Sequence, residues 1–376
     1  MITKEKINQA GYCFIGKSNN LSKNDADNIL KGFRLIHQHP MTLFRHTIDR
    51  KLKKHNINAL VSQRLKRIPS IVKKLEIQEN MQLSRMQDIG GLRIVVDTIQ
   101  EANLIRDEIK KVEKHRNFKF TFANEKNYIE TPADSGYRSI HMVYKYDKGI
   151  ELRKQCRVEI QIRTRLQHAW ATAVEVTGTF SNQLLKQSLG NKKYLNIFKK
   201  ISKLFISLEE KEKEIDDEFV KEVKQDIENA QLLDKLKSFT IASKLVENNL
   251  KGKYLLLKMN FEKKEISASK YSDAKFEKAN EDYLKMELEH FDNNAVEVVL
   301  LSIQDIKKLR QSYPNYFMDT TEFIKSMDKL FKLVVENEKQ QKIIDSIKDE
   351  ELKKIAKTMS KDITKKMLKL FDRSKK

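Results

Sequence analysis

The chain has 376 residues, of which 34% are charged and 39% apolar, and its formal net charge is +21. This length accommodates one large or two ordinary domains, and the positive surplus points to polyanionic partners, nucleotide phosphates or RNA. Two distant cysteines, Cys13 and Cys156, with no Cys-x-x-Cys or neighbouring His pair, argue against a disulfide framework and a zinc site, and no apolar run approaches the ~18–20 residues of a spanning helix, so a reduced cytoplasm without membrane contact is the expected setting.

Residues 1–85 read as helical: 24–37 with Ser22 as a capping residue, then 42–55, then 57–80 interrupted by Pro69. In the last stretch Arg64, Lys66, Arg67, Lys73 and Lys74 flank the apolar Leu65, Ile68, Ile71, Val72 and Leu75, so one face can pack while the other offers cations. From Gly90 the period changes. Residues 92–97 predict a strand, 99–114 a helix and 118–122 a strand, a β–α–β pattern, and strands at 138–146 and 156–163 follow. The expected fold class is α+β, a mixed sheet covered by helices. Helices are predicted over 164–175 and 182–236, with the charge-rich 209–224 read as a solvated connector.

A second, small α+β unit is predicted from about residue 236: a strand at 253–261, a helix at 272–290, a strand at 295–301 and a helix at 303–311. Two further helices and a lysine-rich tail, 361–376, come after Thr320. The predicted domains are therefore 1–235 and 236–376.

Between residues 128 and 146 a polar loop leads into an alternating apolar run. Pro132 restricts one dihedral, Asp134 and Ser135 favour a turn, and Gly136 permits a backbone geometry or close approach that a Cβ would forbid, which delivers Tyr137 to a strand entrance. Two carboxylates are placed for chemistry. Asp88 precedes Gly90-Gly91 and the first strand. Glu159 lies within Val158-Glu-Ile-Gln-Ile-Arg163, where alternation sends Glu159, Gln161 and Arg163 to one face and the aliphatics to the other. Two carboxylates meeting across a sheet suit Mg²⁺, which bridges protein to substrate phosphates, and surrounding Arg and Lys would hold the remaining charge. That is the equipment of phosphoryl or pyrophosphoryl transfer. The same pattern also fits an exposed strand on which Glu159 simply pairs with Arg163. No Gly-x-x-x-x-Gly-Lys-Ser/Thr is present, and Gly90-Gly91 follows no strand, so neither a P-loop nor a dinucleotide site is indicated. His141 reads as a structural hydrogen-bonder or a base, and Trp170 as core.

Three segments, Met86-Gln-Asp-Ile-Gly-Gly-Leu-Arg93, Ser135-Gly-Tyr-Arg-Ser-Ile-His141 and Val158-Glu-Ile-Gln-Ile-Arg-Thr164, together with His168-Ala-Trp-Ala171, resemble the RelA/SpoT alarmone synthetase domain in order and spacing. The resemblance covers roughly residues 40–180. It implies a nucleotidyltransferase-like mixed sheet and a pyrophosphokinase that moves the β,γ-pyrophosphate of ATP to a ribose 3′-hydroxyl. It further implies Mg²⁺ on Asp88 and Glu159, with Glu159 also helping to deprotonate the acceptor. Arg64 would stack on adenine, Lys66, Ser70 and Lys74 would meet ATP, and Arg93, His141 and Gln161 would complete the catalytic set. Tyr137 would stack on the acceptor base, with Lys126 beside it.

In many members a lysine three residues before the loop glycine contacts the acceptor's 5′ phosphates. Here that position is Ala133, followed by Asp134. With the C-terminal unit and Tyr313-Pro-Asn-Tyr316, this looks like the CapRel-type fused toxin–antitoxin branch. That branch implies the tRNA CCA end as acceptor, arrest of translation, restraint by the C-terminal unit through Tyr313 and Tyr316, and release by a phage protein. Synthesis of guanosine tetra- or pentaphosphate from GDP or GTP is the second expectation, and an inactive RNA-binding regulator the third. Oligomeric state and trigger are not legible.

Overall fold

A computed structural model of the chain describes residues 3–149, 154, 156–180, 185, 191–210, 216–237, 240, 254–260, 263, 265–290, 293, 296–302, 319–347, 350 and 352–360. In chain order the elements are α1 (Lys4–Phe14), α2 (Lys23–Leu35), α3 (Gln38–Lys54), β1 (Leu60–Leu65), α4 (Ile68–Ile77), β2 (Gly90–Val96), α5 (Ile99–Val112), β3 (Phe120–Asn127), β4 (Ile140–Tyr146) and β5 (Arg157–Thr164). They continue with α6 (Arg165–Phe180), α7 (Lys192–Glu209), α8 (Asp217–Ala230), β6 (Tyr254–Asn260), β7 (Glu265–Tyr271), α9 (Phe276–Glu289), β8 (Val296–Ser302) and α10 (Thr321–Ser346). Local chemistry sets several helix starts. Ser22 accepts from the Asp25 backbone N–H, and Thr98 with Glu101 forms a reciprocal capping box on α5.

The chain forms two compact units that interleave along the sequence: residues 1–133, 138–165 and 250–312 in one, and 134–137, 166–249 and 313–376 in the other. The predicted domain division into 1–235 and 236–376 is taken up below as a proposal.

The first unit holds a five-stranded mixed sheet in the order β1-β2-β5-β4-β3. Only the β2–β5 pair is parallel; β1–β2, β5–β4 and β4–β3 are antiparallel. Leu92, Ile94 and Val96, with Val158, Ile160 and Ile162, are buried on one face against α3 and α5, where Phe44 packs on Phe120 and Tyr144. The alternation expected in β5 is therefore observed. A second apolar cluster joins Ile7, Leu30 and Phe33 to Ile68, Ile71, Val72 and Leu75 of α4, which is the packing expected of that basic stretch's apolar side. The same unit contains a three-stranded sheet, β7-β6-β8, against which α9 packs.

Residues 60–65 correct the helical expectation for 57–80. They form β1, antiparallel to β2 with Leu60 opposite Val95 and Leu65 opposite Gly90, and α4 starts only at Ile68, with Pro69 in its first turn. Pairing to β2 outweighs a helical period that continues through the turn. Strand β7 was not expected at all, and the predicted connector at 209–224 ends one helix and begins another whose Val220 and Val223 are buried. The helix expected at 303–311 and the tail 361–376 lie outside the described residues.

In the second unit, α6, α7, α8 and α10 pack around Trp170, Phe198, Phe205 and Phe323. Trp170 is core, as expected, and its indole N–H donates to the Phe198 carbonyl at 2.9 Å. The 134–137 turn belongs to this unit. Gly136 adopts φ +89°, and a Cβ there would stand 2.8 Å from Ser202 Cβ, so both the positive φ and the close approach expected of this glycine are present.

Candidate active site

The face of the five-stranded sheet opposite the core carries the polar residues. Strand register sets them side by side. Arg64 of β1 lies opposite Gly91 of β2, Gly91 opposite Glu159 of β5, Arg93 opposite Gln161, Gln161 opposite His141 of β4, and His141 opposite Lys126 of β3. Five strands thus deliver Arg64, Arg93, Glu159, Gln161, His141 and Lys126 to one surface.

Glu159 is the hub. His141 Nδ1 lies 3.0 Å from its Oε1, Gln161 Nε2 donates to its Oε2 at 2.8 Å, and Arg163 Nη2 donates to Gln161 Oε1 at 2.6 Å. The cross-face pair of Glu159 with Arg163 therefore takes the form of a relay through Gln161. Tyr128 meets the His141 ring edge-on at 5.5 Å. Burial acts to raise the Glu159 pKa, but the His141 hydrogen bond and charge, with the Gln161 bond, carry it below its ordinary value against the opposing charge of Asp88. Glu159 is ionised at neutral pH.

Asp88 is held by two cations. Lys66 Nζ lies 2.9 Å from Oδ2 and Lys74 Nζ 3.0 Å from Oδ1. One lysine comes from the β1–α4 turn and the other from the second turn of α4. Burial opposes ionisation of Asp88, and the two ammonium groups overcome it and lower its pKa. Ser70 is in the first turn of α4, half-buried. Beside Asp88, Gly90 is closely packed: a Cβ there would stand 2.7 Å from Met41 Sδ and 3.2 Å from His37 Cβ.

Among the described residues no group of three or more His, Cys, Asp or Glu could hold a metal. Asp88 and Glu159 do supply two ionised carboxylates whose mutual repulsion registers in the Glu159 pKa. A carboxylate has about four lone-pair directions, so each retains capacity beyond its present hydrogen bonds. The donor set fits Mg²⁺, which characteristically takes one or two carboxylates and completes its shell with water and substrate phosphates.

Of the remaining predicted residues, Tyr137 lies in the second unit, its ring 6.4 Å from Trp170, and Tyr313 and Tyr316 lie outside the described residues. Sequence reasoning assigned no role to Tyr128, although it opens the same loop. It also missed the pairing of Asp88 with Lys66 and Lys74, which an i, i+8 lysine spacing across a strand–helix turn does not signal. No described helix is long and apolar enough to cross a membrane.

Residues 63–183, which contain every predicted catalytic and nucleotide-binding residue, match the family described as the region found in RelA / SpoT proteins. The chain is 31% identical over 146 residues to the GTP pyrophosphokinase YjbM of Bacillus subtilis (strain 168), covering 38% of this chain and 61% of that protein. It is 32% identical over 124 residues to the GTP pyrophosphokinase YwaC of the same organism, covering 31% and 57%. The chain thus spans about three fifths of the length of these curated relatives. Among solved structures, the small alarmone synthetase 1 from Bacillus subtilis bound to its product pppGpp aligns over 48% of this chain and 92% of its own, with 23% identity and a TM-score of 0.41. The segment of this chain that bears the polar sheet face is therefore the segment it shares with RelA / SpoT proteins, pyrophosphokinases among them.

Proposed function

We propose that the protein is an ATP-dependent pyrophosphokinase that transfers the β,γ-pyrophosphate of ATP to the 3′-hydroxyl of GDP or GTP, releasing AMP. The observation that carries this reading is the pair of ionised carboxylates on one unit, Asp88 clasped by Lys66 and Lys74 and Glu159 by His141 and Gln161. The similarity of residues 63–183 to RelA / SpoT proteins, and the names of the curated relatives, support the same class.

In this reading Asp88 and Glu159 hold Mg²⁺, which when bound neutralises charge on the transferring phosphates. Lys66 and Lys74, gathered at Asp88, are the cations that meet ATP, with Ser70 beside them. Arg64 stacks on adenine. Glu159 accepts hydrogen bonds on both oxygens, so its orientation is set before the acceptor arrives, and its negative charge favours removal of the 3′-hydroxyl proton. Its lowered pKa makes it a modest base, so positioning and charge stabilisation supply most of the rate. Arg93 faces the same surface. Tyr137 and Lys126 are assigned to the acceptor by resemblance alone.

One sequence feature favours a second acceptor. Ala133 and Asp134 place no cation where many synthetases grip the acceptor's 5′ phosphates, and the chain as a whole carries +21. The 3′ end of tRNA would bind through its own backbone phosphates instead. In that version residues 236–376 restrain the synthetase through Tyr313 and Tyr316 until a phage protein releases them.

Incubation with γ-labelled ATP and either GDP, GTP or deacylated tRNA separates these readings. Label on the guanine nucleotide is the expected result. Label on tRNA alone replaces the acceptor, and label on none of them, with Mg²⁺ and a releasing partner present, overturns the enzymatic reading.

A further inference from the structure

The turn that joins β1 to α4 carries Lys66 and opens the helix that bears Ser70 and Lys74, and part of its backbone is held by side chains from distant elements. Arg67, at the N-cap of α4, makes no side-chain capping bond, and Pro69 supplies no N–H. The Ile68 N–H instead donates to Glu287 Oε1 at 3.0 Å, across 219 residues of sequence. Glu287 is 4% exposed. It sits in the last turn of α9, where a carboxylate is disfavoured by its own helix dipole. Its position is stabilised by the N-terminus of α4 and by Arg34, whose Nη1 lies 3.5 Å from Glu287 Oε2. Arg34 in turn donates from Nε to the Lys66 carbonyl at 2.9 Å and from Nη2 to Tyr283 Oη at 3.4 Å.

Two buried charged groups therefore grip the backbone on either side of Arg67, one at the carbonyl of Lys66 and one at the amide of Ile68. Such a pair is poor value as a source of stability, since desolvation offsets most of the attraction. It does fix geometry, because every rotation of the turn breaks a buried charge-assisted hydrogen bond.

We propose that Glu287, acting with Arg34 and Tyr283, is a positioning residue for ATP: it caps α4 from outside and so holds Lys66 and Lys74 in the arrangement that receives the ATP phosphates. This inference rests on the pyrophosphokinase reading of the site. It gives the β6–α9–β8 segment a role in substrate affinity, and any ligand that draws α9 away from Ile68 weakens ATP binding.

The test uses the full chain and ATP itself. Binding of ATP is measured by titration calorimetry in wild type and Glu287→Ala, alongside steady-state kinetics with a guanine nucleotide acceptor and amide exchange over residues 64–72. The expected result is an ATP Kd raised about tenfold, the change produced by losing a helix cap of ordinary strength. Faster exchange at Ile68 should accompany it, while kcat at saturating ATP and the acceptor KM stay within about twofold. Glu287→Gln, which keeps an acceptor for Ile68 but loses the charge facing Arg34, is expected to fall between the two. It also serves as the test variant if Glu287→Ala does not fold. An unchanged ATP Kd in a folded variant overturns the proposal, as does a parallel fall in ATP affinity, acceptor affinity and kcat together with the melting temperature, which marks a purely structural contact. Absence of ATP binding by the wild-type protein overturns the pyrophosphokinase reading and takes the inference with it.

Discussion

His141 Nδ1 stands 3.0 Å from Glu159 Oε1 across two antiparallel strands. Since the Glu159 carboxylate is ionised, the imidazole nitrogen is the donor and the carboxylate accepts. The relationship fixes the tautomer of His141 when neutral and the rotamer of Glu159 together, and it gives the first prediction. Glu159→Gln retains the size of the side chain but loses its charge, and is expected to reduce pyrophosphate transfer by roughly 10²-fold or more with an unchanged circular dichroism spectrum. Residual activity above a tenth of wild type would remove Glu159 from the reacting centre.

The acid limb of the pH–rate profile follows from the same contact. Burial raises the Glu159 pKa, and His141 and Gln161 lower it further than burial raises it. A carboxylate with a depressed pKa keeps its charge above the ordinary range and loses it only as pH falls through the lowered value. The midpoint of any acid loss attributable to Glu159 is thus expected below its ordinary value of 4.5. His141→Ala should move the acid limb upward. Coincident limbs in the two proteins would contradict the assignment.

Stability should fall with acid through a different residue. His37 is 1% exposed, its Nδ1 lies 2.8 Å from the Phe33 carbonyl, and burial lowers its pKa from 6.5 to about 4, against that backbone bond. Between those values the unfolded chain takes up a proton that the folded chain refuses, so stability declines as pH falls. The gap corresponds to roughly 3 kcal/mol at ~1.4 kcal/mol per unit. Urea unfolding at pH 7 and pH 4 measures it. His37→Gln is expected to flatten this part of the dependence, and an equal slope in the variant would assign the loss elsewhere.

At Gly136 the prediction concerns the backbone. With φ at +89° and Ser202 Cβ 2.8 Å from where a Cβ would sit, Gly136→Ala must both strain the turn and displace α7. The expected cost is about 2 kcal/mol or more, read as a lower unfolding midpoint. A neutral effect would mean that the 134–137 turn can be rebuilt without Gly.

Much of this arrangement was legible in the chain. Val158-Glu-Ile-Gln-Ile-Arg163 declares its two faces through alternation alone, and Gly136 announces its turn, because both signals are local. The strand at Leu60–Leu65 was hidden because its apolar residues also satisfy a helical period; only the neighbouring β2 decides between the two. Strand β7, Glu-Ile-Ser-Ala-Ser-Lys-Tyr, carries small and charged residues of weak strand preference and depends on pairing with β6. The lysines on Asp88 were recognised individually, as cations for a nucleotide, but their convergence on one carboxylate arises from the path of the β1–α4 turn. The Arg34–Glu287 contact leaves no local trace, since each residue alone reads as an ordinary charge on a helix.

The contact between Ile68 and Glu287 also imposes an order on synthesis. Its partners are 219 residues apart, and at roughly 5–20 residues per second the ribosome delivers the second about 10–45 s after the first. During that interval the five strands of the main sheet have all emerged, while the amide that opens α4 still awaits its carboxylate. The nascent chain thus holds the side chains of the polar sheet face before it holds the helix whose Glu287 meets the Ile68 amide, and α4 gains this outside cap only after the strands of the main sheet have been made.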